Sequence, residues 1–151
     1  MAERTFSAFL QDALAAIAIE APLAQAQLVQ CLGSLRVSID VDHDRSCLAV
    51  VGSQCLVYQS SFVSEVAVRS SREAIGRLLD GSSTLLDELL SEGVGARGRV
   101  DHIVVVCDAL LAFFRGAVRS PSVVGLLERY LAQTSSEVPS RTARRDYGER
   151  L

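Results

Sequence analysis

The chain has 151 residues, of which 49% are hydrophobic and 22% charged, the size and composition of one globular domain. Its formal net charge of −3 argues against a nucleic-acid binder, which would carry a basic stripe. No stretch reaches the roughly 20 apolar residues that a membrane span needs.

The first helix reads clearly from Phe6, Phe9, Leu10, Ala13, Leu14 and Ile17, which recur at helical spacing. Pro22 stands where a first helical residue belongs, Ala24, Leu28, Cys31 and Leu32 line one face of a second helix, and Gly33 ends it. Leu35, Val37, Ile39 and Val41 then alternate with Arg36, Ser38, Asp40 and Asp42, a half-buried strand with one wet face. Asp42-His43-Asp44 is a polar turn. Cys47 to Val51 and Cys55 to Tyr58 are strands joined at Gly52-Ser53, and Phe62 to Arg69 is a fourth. These short spacings predict an antiparallel meander.

The period then changes. Ser70 and Glu73 form a capping box for a helix with Ala74, Ile75, Leu78 and Leu79 on its stripe, stopped at Gly81. Thr84 and Asp87 start another, with Leu85, Leu86, Leu89 and Leu90, stopped at Gly93. Val94 to Val100 is a short edge strand. From His102 to Ala117 runs a long helix that is apolar on nearly every side, as a helix buried on more than one side must be. Ser120-Pro121 restarts a last helix carrying Val123, Val124, Leu127 and Leu131, which we read as a lid on that apolar bed. The expected domain is therefore 1–133, followed by a polar, disordered tail over 134–151.

The stretch Val66-Ala-Val-Arg-Ser-Ser-Arg-Glu-Ala-Ile-Gly-Arg-Leu-Leu-Asp-Gly-Ser-Ser is similar to the sterol carrier protein 2 family. There a strand feeds a short helix with a glycine stop, then a second short helix, a glycine-flanked strand and a long apolar helix. Gly93, Gly98 and the run Ile103 to Phe114 stand in that order here. The resemblance departs after Gly98, where Arg99-Val100-Asp101 replaces the family's Gly-Asp or Gly-Asn. It implies an α+β fold with a mostly antiparallel five-stranded sheet covered by helices. It also implies an apolar tunnel for lipids, sterols or acyl chains, with no catalytic residues to carry over.

Other motifs read more plainly as structure. Gly93-Val-Gly95-Ala-Arg-Gly98 spells a dinucleotide fingerprint, but a helix precedes it and no acidic residue lies between Asp108 and Glu128. Asp40-Val-Asp42-His-Asp44 starts like a calcium loop, but Arg45 and Val51 stand at positions that need Gly and Glu. His102 beside Asp101 is helix-start chemistry before it is a catalytic pair. Cys31, Cys47, Cys55 and Cys107 form no C-x-x-C pair, and no metal or other cofactor is expected. Residues 1–4 lack the pattern of a targeting segment, so the thiols are expected to be reduced in a cytoplasmic protein. If Val50 lies opposite Cys55 and Cys47 opposite Tyr58, Cys47 and Cys55 face apart and cannot bridge. All fifteen basic residues are Arg, which we read as the composition of a GC-rich bacterial genome.

The sequence thus predicts non-enzymatic binding or transfer of an apolar small molecule. Leu89, Leu110, Phe113 and Phe114 are the expected lining, and Asp108, the charge interrupting the longest apolar run, is the candidate for orienting a head group. Two other readings stay open at this stage. One is a cavity enzyme, an isomerase or cyclase using Asp108 or His102. The other is an interaction module whose apolar helix docks on a partner or forms a homodimer.

Overall fold

The computed structural model describes residues 5–59 and 63–132. The expected tail over 134–151 lies outside the described residues.

Helix α1 (Phe6–Glu20) is capped by Thr5, whose hydroxyl accepts from Ala8 N at 3.1 Å. It buries the six residues picked out by spacing, together with Ser7. The Ser7 hydroxyl is hydrogen-bonded to that of Ser46 on the sheet, so neither buried polar group is left unsatisfied. Helix α2 (Pro22–Leu32) starts on the proline and stops at Gly33, with φ 56°.

Strands β1 (Val37–Val41), β2 (Asp44–Val51) and β3 (Gln54–Tyr58) form two hairpins with two-residue loops. Asp42 and His43 both have positive φ, as the twist of such a hairpin favours. The acidic residues of this turn are spent on backbone. Asp40 Oδ1 accepts from His43 N, Asp42 Oδ2 from Arg72 N and Asp44 Oδ2 from Phe6 N. The last two bonds set carboxylates against the N-termini of the helix that begins at Arg72 and of α1, where the helix dipole favours them. The β2–β3 register pairs Val50 with Cys55 and Cys47 with Tyr58, so the two thiols face opposite ways, and all four cysteines are free.

The meander ends there. Strand β4 (Val66–Ser70) pairs with β1 and runs parallel to it, giving a sheet of order β3-β2-β1-β4-β5. The chain leaves β3 at Tyr58, and by Glu65 it is beside the start of β1. There Glu65 N donates to Arg36 O at 2.9 Å, and the Glu65 carboxylate accepts from Arg36 N at 2.8 Å. Alternation at Val66 and Val68 dictates which face is buried but is the same for either direction and any neighbour. The other pairings, including that of edge strand β5 (Val94–Gly98), are antiparallel, so the sheet is mixed and mostly antiparallel.

Helix α3 (Arg72–Asp80) is capped by Ser71, one residue after the expected Ser70. Ser70 closes β4 instead, its hydroxyl donating to Gly93 O at 2.9 Å. Helix α4 (Leu85–Leu90) is capped by Thr84 as read. The α3–α4 corner is fixed by a fork: Arg77 Nη2 and Nε donate to Glu88 Oε1 and Oε2 at 2.8 and 3.0 Å. Glu88 is almost wholly buried, and its carboxylate occupies the space a side chain at Gly93 would need.

Helix α5 (Val100–Val118) lies across the helix side of the sheet, and helix α6 (121–132) follows. Buried Ala109, Ala112, Gly116 and Ala117 let α5 approach its neighbours closely. A Cβ on Gly116 would lie 2.8 Å from Ile17 Cγ2 and 3.0 Å from Ala24 Cβ. In α6, Val123, Leu126 and Tyr130 are buried. Tyr130 stacks on Phe9 with centroids 4.9 Å apart, and the Arg72 guanidinium lies 4.7 Å from its ring centre. Val37, Ile39, Val41, Leu48, Val66 and Val68 turn one sheet face to this helical layer, while Arg45, Ala67, Arg69 and Arg97 lie exposed on the other. Among the described residues no helix is long and apolar enough to cross a membrane.

Candidate functional site: an apolar void between sheet and helices

The site is what remains unfilled where these layers meet. A void of about 70 Å³ lies between the inner sheet face and the helices. Val37, Ile39, Val41, Leu48 and Val68 form its floor, and Val106, Ala109, Leu110, Phe113 and Phe114 of α5 its roof. Phe6, Phe9, Leu10 and Leu14 of α1, Leu28 and Leu32 of α2, and Ile75 and Leu78 of α3 close the sides, completed by Leu85 and Val94. Among the described residues Ser70 is the one polar residue in the lining, and its hydroxyl is spent on Gly93 O. Among the described residues no titratable side chain lines the space.

Burial around the void is uneven. Phe113 is buried against its neighbours and meets Phe114 edge-on with centroids 5.8 Å apart. Leu78, Leu110 and Phe114 are only half-buried, so the lining reaches the surface along the α3–α5 side. The α1–α2–α5 side is closed by the tight crossing at Gly116.

Of the five residues expected at the site, Leu110, Phe113 and Phe114 line the void together. Leu89 does not: it is half-buried in a shallow surface cleft with Arg69, Glu92 and Ile103. Asp108 does not either: it is exposed in a groove between α2 and α5, beside Gln27, Gln30, Cys31 and Arg115. On a 3.6-residue helix, Asp108 lies about 140° from Phe113, so the two cannot share a face. Residues of α1, α2 and α3 that the spacing marked only as core supply much of the lining. Their amphipathic stripes said that they face inward, not that the space they face is incompletely filled. None of α6 lines the void itself; its Tyr130 packs behind the lining, stacked on Phe9.

The titratable groups nearest the core are structural. The Arg77 guanidinium, helped by Ser83, holds the Glu88 carboxyl at about 2. Burial pushes the Tyr130 phenol up to about 12 and the Cys55 thiol up to about 12. The Asp101 carboxylate is paired with Arg99 at 3.0 Å and so is already engaged beside His102. Among the described residues no cluster of His, Cys, Asp or Glu has the arrangement of a metal site.

No protein-family model matches the sequence, and no curated protein matches it significantly. Solved structures do match the fold. A conserved protein of Thermus thermophilus, described as a possible sterol carrier protein, superposes with a TM-score of 0.54 at 11% identity, covering 77% of this chain and 88% of that one. A crystal structure of sterol carrier protein 2 superposes with a TM-score of 0.52 at 9% identity, covering 75% of this chain and 95% of that one. Likeness at such identities is likeness of fold, and at that level it bears out the resemblance read from residues 66 to 116: this chain has the fold of sterol carrier protein 2.

Proposed function

We propose that the domain is a non-enzymatic cytoplasmic carrier that binds an apolar small molecule, such as a lipid, sterol or acyl chain, between the sheet and α5. The observation that carries this reading is the void itself, walled by apolar side chains with its one hydroxyl already hydrogen-bonded. Such a wall rewards transfer of hydrocarbon from water, about 0.8 kcal/mol per methylene, and offers no group to act as acid, base or nucleophile. The fold shared with sterol carrier protein 2, and with a Thermus thermophilus protein described as possibly a sterol carrier protein, supports the same class of ligand.

The volume sets the mechanism. About 70 Å³ is less than the roughly 150 Å³ of a cavity that takes benzene, and far below the 300–1,000 Å³ of ordinary ligand pockets. A lipid must therefore part the helices and replace, with its own apolar surface, the contacts they give up. The α3–α5 side is where parting costs least, because Leu78, Leu110 and Phe114 are half-exposed there while the opposite side is locked at Gly116. Leu110, Phe113 and Phe114 are then the ligand's contacts on α5.

Titration of the full chain with dansyl-undecanoic acid tests this. The native protein is expected to bind the probe with a blue-shifted emission. Leu110→Trp, which fills the void, should weaken binding at least tenfold with the far-UV spectrum unchanged. Leu56→Trp, on the outer sheet face, should leave it alone. A native protein that does not bind, or a Leu110→Trp variant that binds as tightly, overturns the reading.

A further inference from the structure

Helix α5 has a second apolar face, pointing away from the void. Val100, Val104, Leu111 and Val118 are 78%, 54%, 39% and 59% exposed, and Cys107 is half-buried beside them. Positions 100, 104, 107 and 111 follow the alternating four- and three-residue step of a coiled-coil seam, and Val118 stands one heptad after Leu111. On a helical wheel they fall within about 40° of Leu111. Apolar surface so aligned on one exposed helix is uncommon on a monomer.

The charges beside this seam indicate what covers it. Asp108 and Arg115 are both exposed and flank Leu111 on the side that faces α2. They stand three residues before and four residues after Leu111, at equivalent positions of successive heptads. Among the described residues neither takes part in an ion pair. If a second α5 is laid antiparallel across a two-fold axis near Leu111, Asp108 of each copy meets Arg115 of the other. Val104 meets the region of Val118, and Leu111 meets its own symmetry mate. A two-fold contact requires a surface complementary to itself, and opposite charges equidistant from the centre of an apolar seam supply that complementarity. We propose that the outer face of α5 is an isologous dimer interface, occupied by a second copy of this chain. The proposal does not depend on the void binding anything.

Sedimentation velocity of the full chain over a concentration series is the test, with charge variants to locate the contact. The native protein is expected to sediment as twice 16.2 kDa at high concentration. Asp108→Arg and Arg115→Asp each place like charges opposite one another twice per dimer and should weaken association about tenfold or more. The double exchange restores both pairs and should recover affinity to within about threefold of native. Leu111→Glu, at the axis, should be monomeric throughout with an unchanged far-UV spectrum, since the residue is partly exposed. A monomeric native protein overturns the proposal. So does a dimer indifferent to the single variants, or a double variant no tighter than either single one.

Discussion

Gly116 and Gly125 are both helical glycines, and the same change to alanine should move stability in opposite directions at the two. Alanine inside a helix is favoured over glycine by about 1 kcal/mol, chiefly through backbone entropy. At Gly125 in α6 an added Cβ meets no atom within 4 Å, so Gly125→Ala should stabilise by about 0.5–1 kcal/mol. At Gly116 the added Cβ would fall 2.8 Å from Ile17 Cγ2 and 3.0 Å from Ala24 Cβ. Neither neighbour can yield: Ile17 is β-branched in a helix and held to one rotamer, and Ala24 has no side-chain torsion to turn. Helix α5 must then back away from α1 and α2, an overpacking cost of about 1–3 kcal/mol. Set against the propensity gain, Gly116→Ala should come out about 1 kcal/mol less stable than the native chain, and about 2 kcal/mol below Gly125→Ala. Urea unfolding followed by far-UV circular dichroism measures both, provided the m-value is unchanged. A Gly116→Ala protein as stable as the Gly125→Ala protein would mean that α5 is not locked at this crossing, and the argument that the void opens on the α3 side would go with it.

Two further outcomes follow from named contacts. Glu88 is held at about 2 by Arg77, against an ordinary 4.5, so its contribution to stability is complete above pH 4.5 and fades as pH falls toward 2. Glu88→Gln should melt lower at neutral pH and lose less between pH 4.5 and pH 2 than the native chain. Parallel melting curves over that range would show that the fork does not act as described. Tyr130→Ala removes a wholly buried ring from between Phe9 and Arg72 and should cost about 3–5 kcal/mol in urea unfolding. A loss under 1 kcal/mol would restore α6 as a lid independent of the core.

Local chemistry made much of this architecture readable in advance. The buried face of α1 is the set of residues its spacing marks, because helical periodicity and burial are two descriptions of one amphipathic stripe. The β2–β3 register follows from a two-residue turn at Gly52-Ser53, since turn length alone aligns the strands. Thr84, Pro22 and Ser120-Pro121 mark helix starts because caps are made within one turn of chain.

Properties that depend on several elements meeting were not readable. The parallel pairing of β4 with β1 turns on where the chain returns after Tyr58, and alternation looks the same for every neighbour. Ser71 displaces Ser70 as a cap because Ser70 is drawn into β4 and bonds Gly93, a partner 23 residues away. Asp108 interrupts an apolar run in the sequence, yet in the fold it belongs to the outer face of α5, because a helix apolar on two sides does not announce which side meets the sheet. The void shows the limit most sharply. Each lining residue carries an inward-facing pattern, but an unfilled 70 Å³ is the small difference between the space enclosed by the packed helices and strands and the side-chain volume put into it. That difference exists only once the layers are set at their final distances.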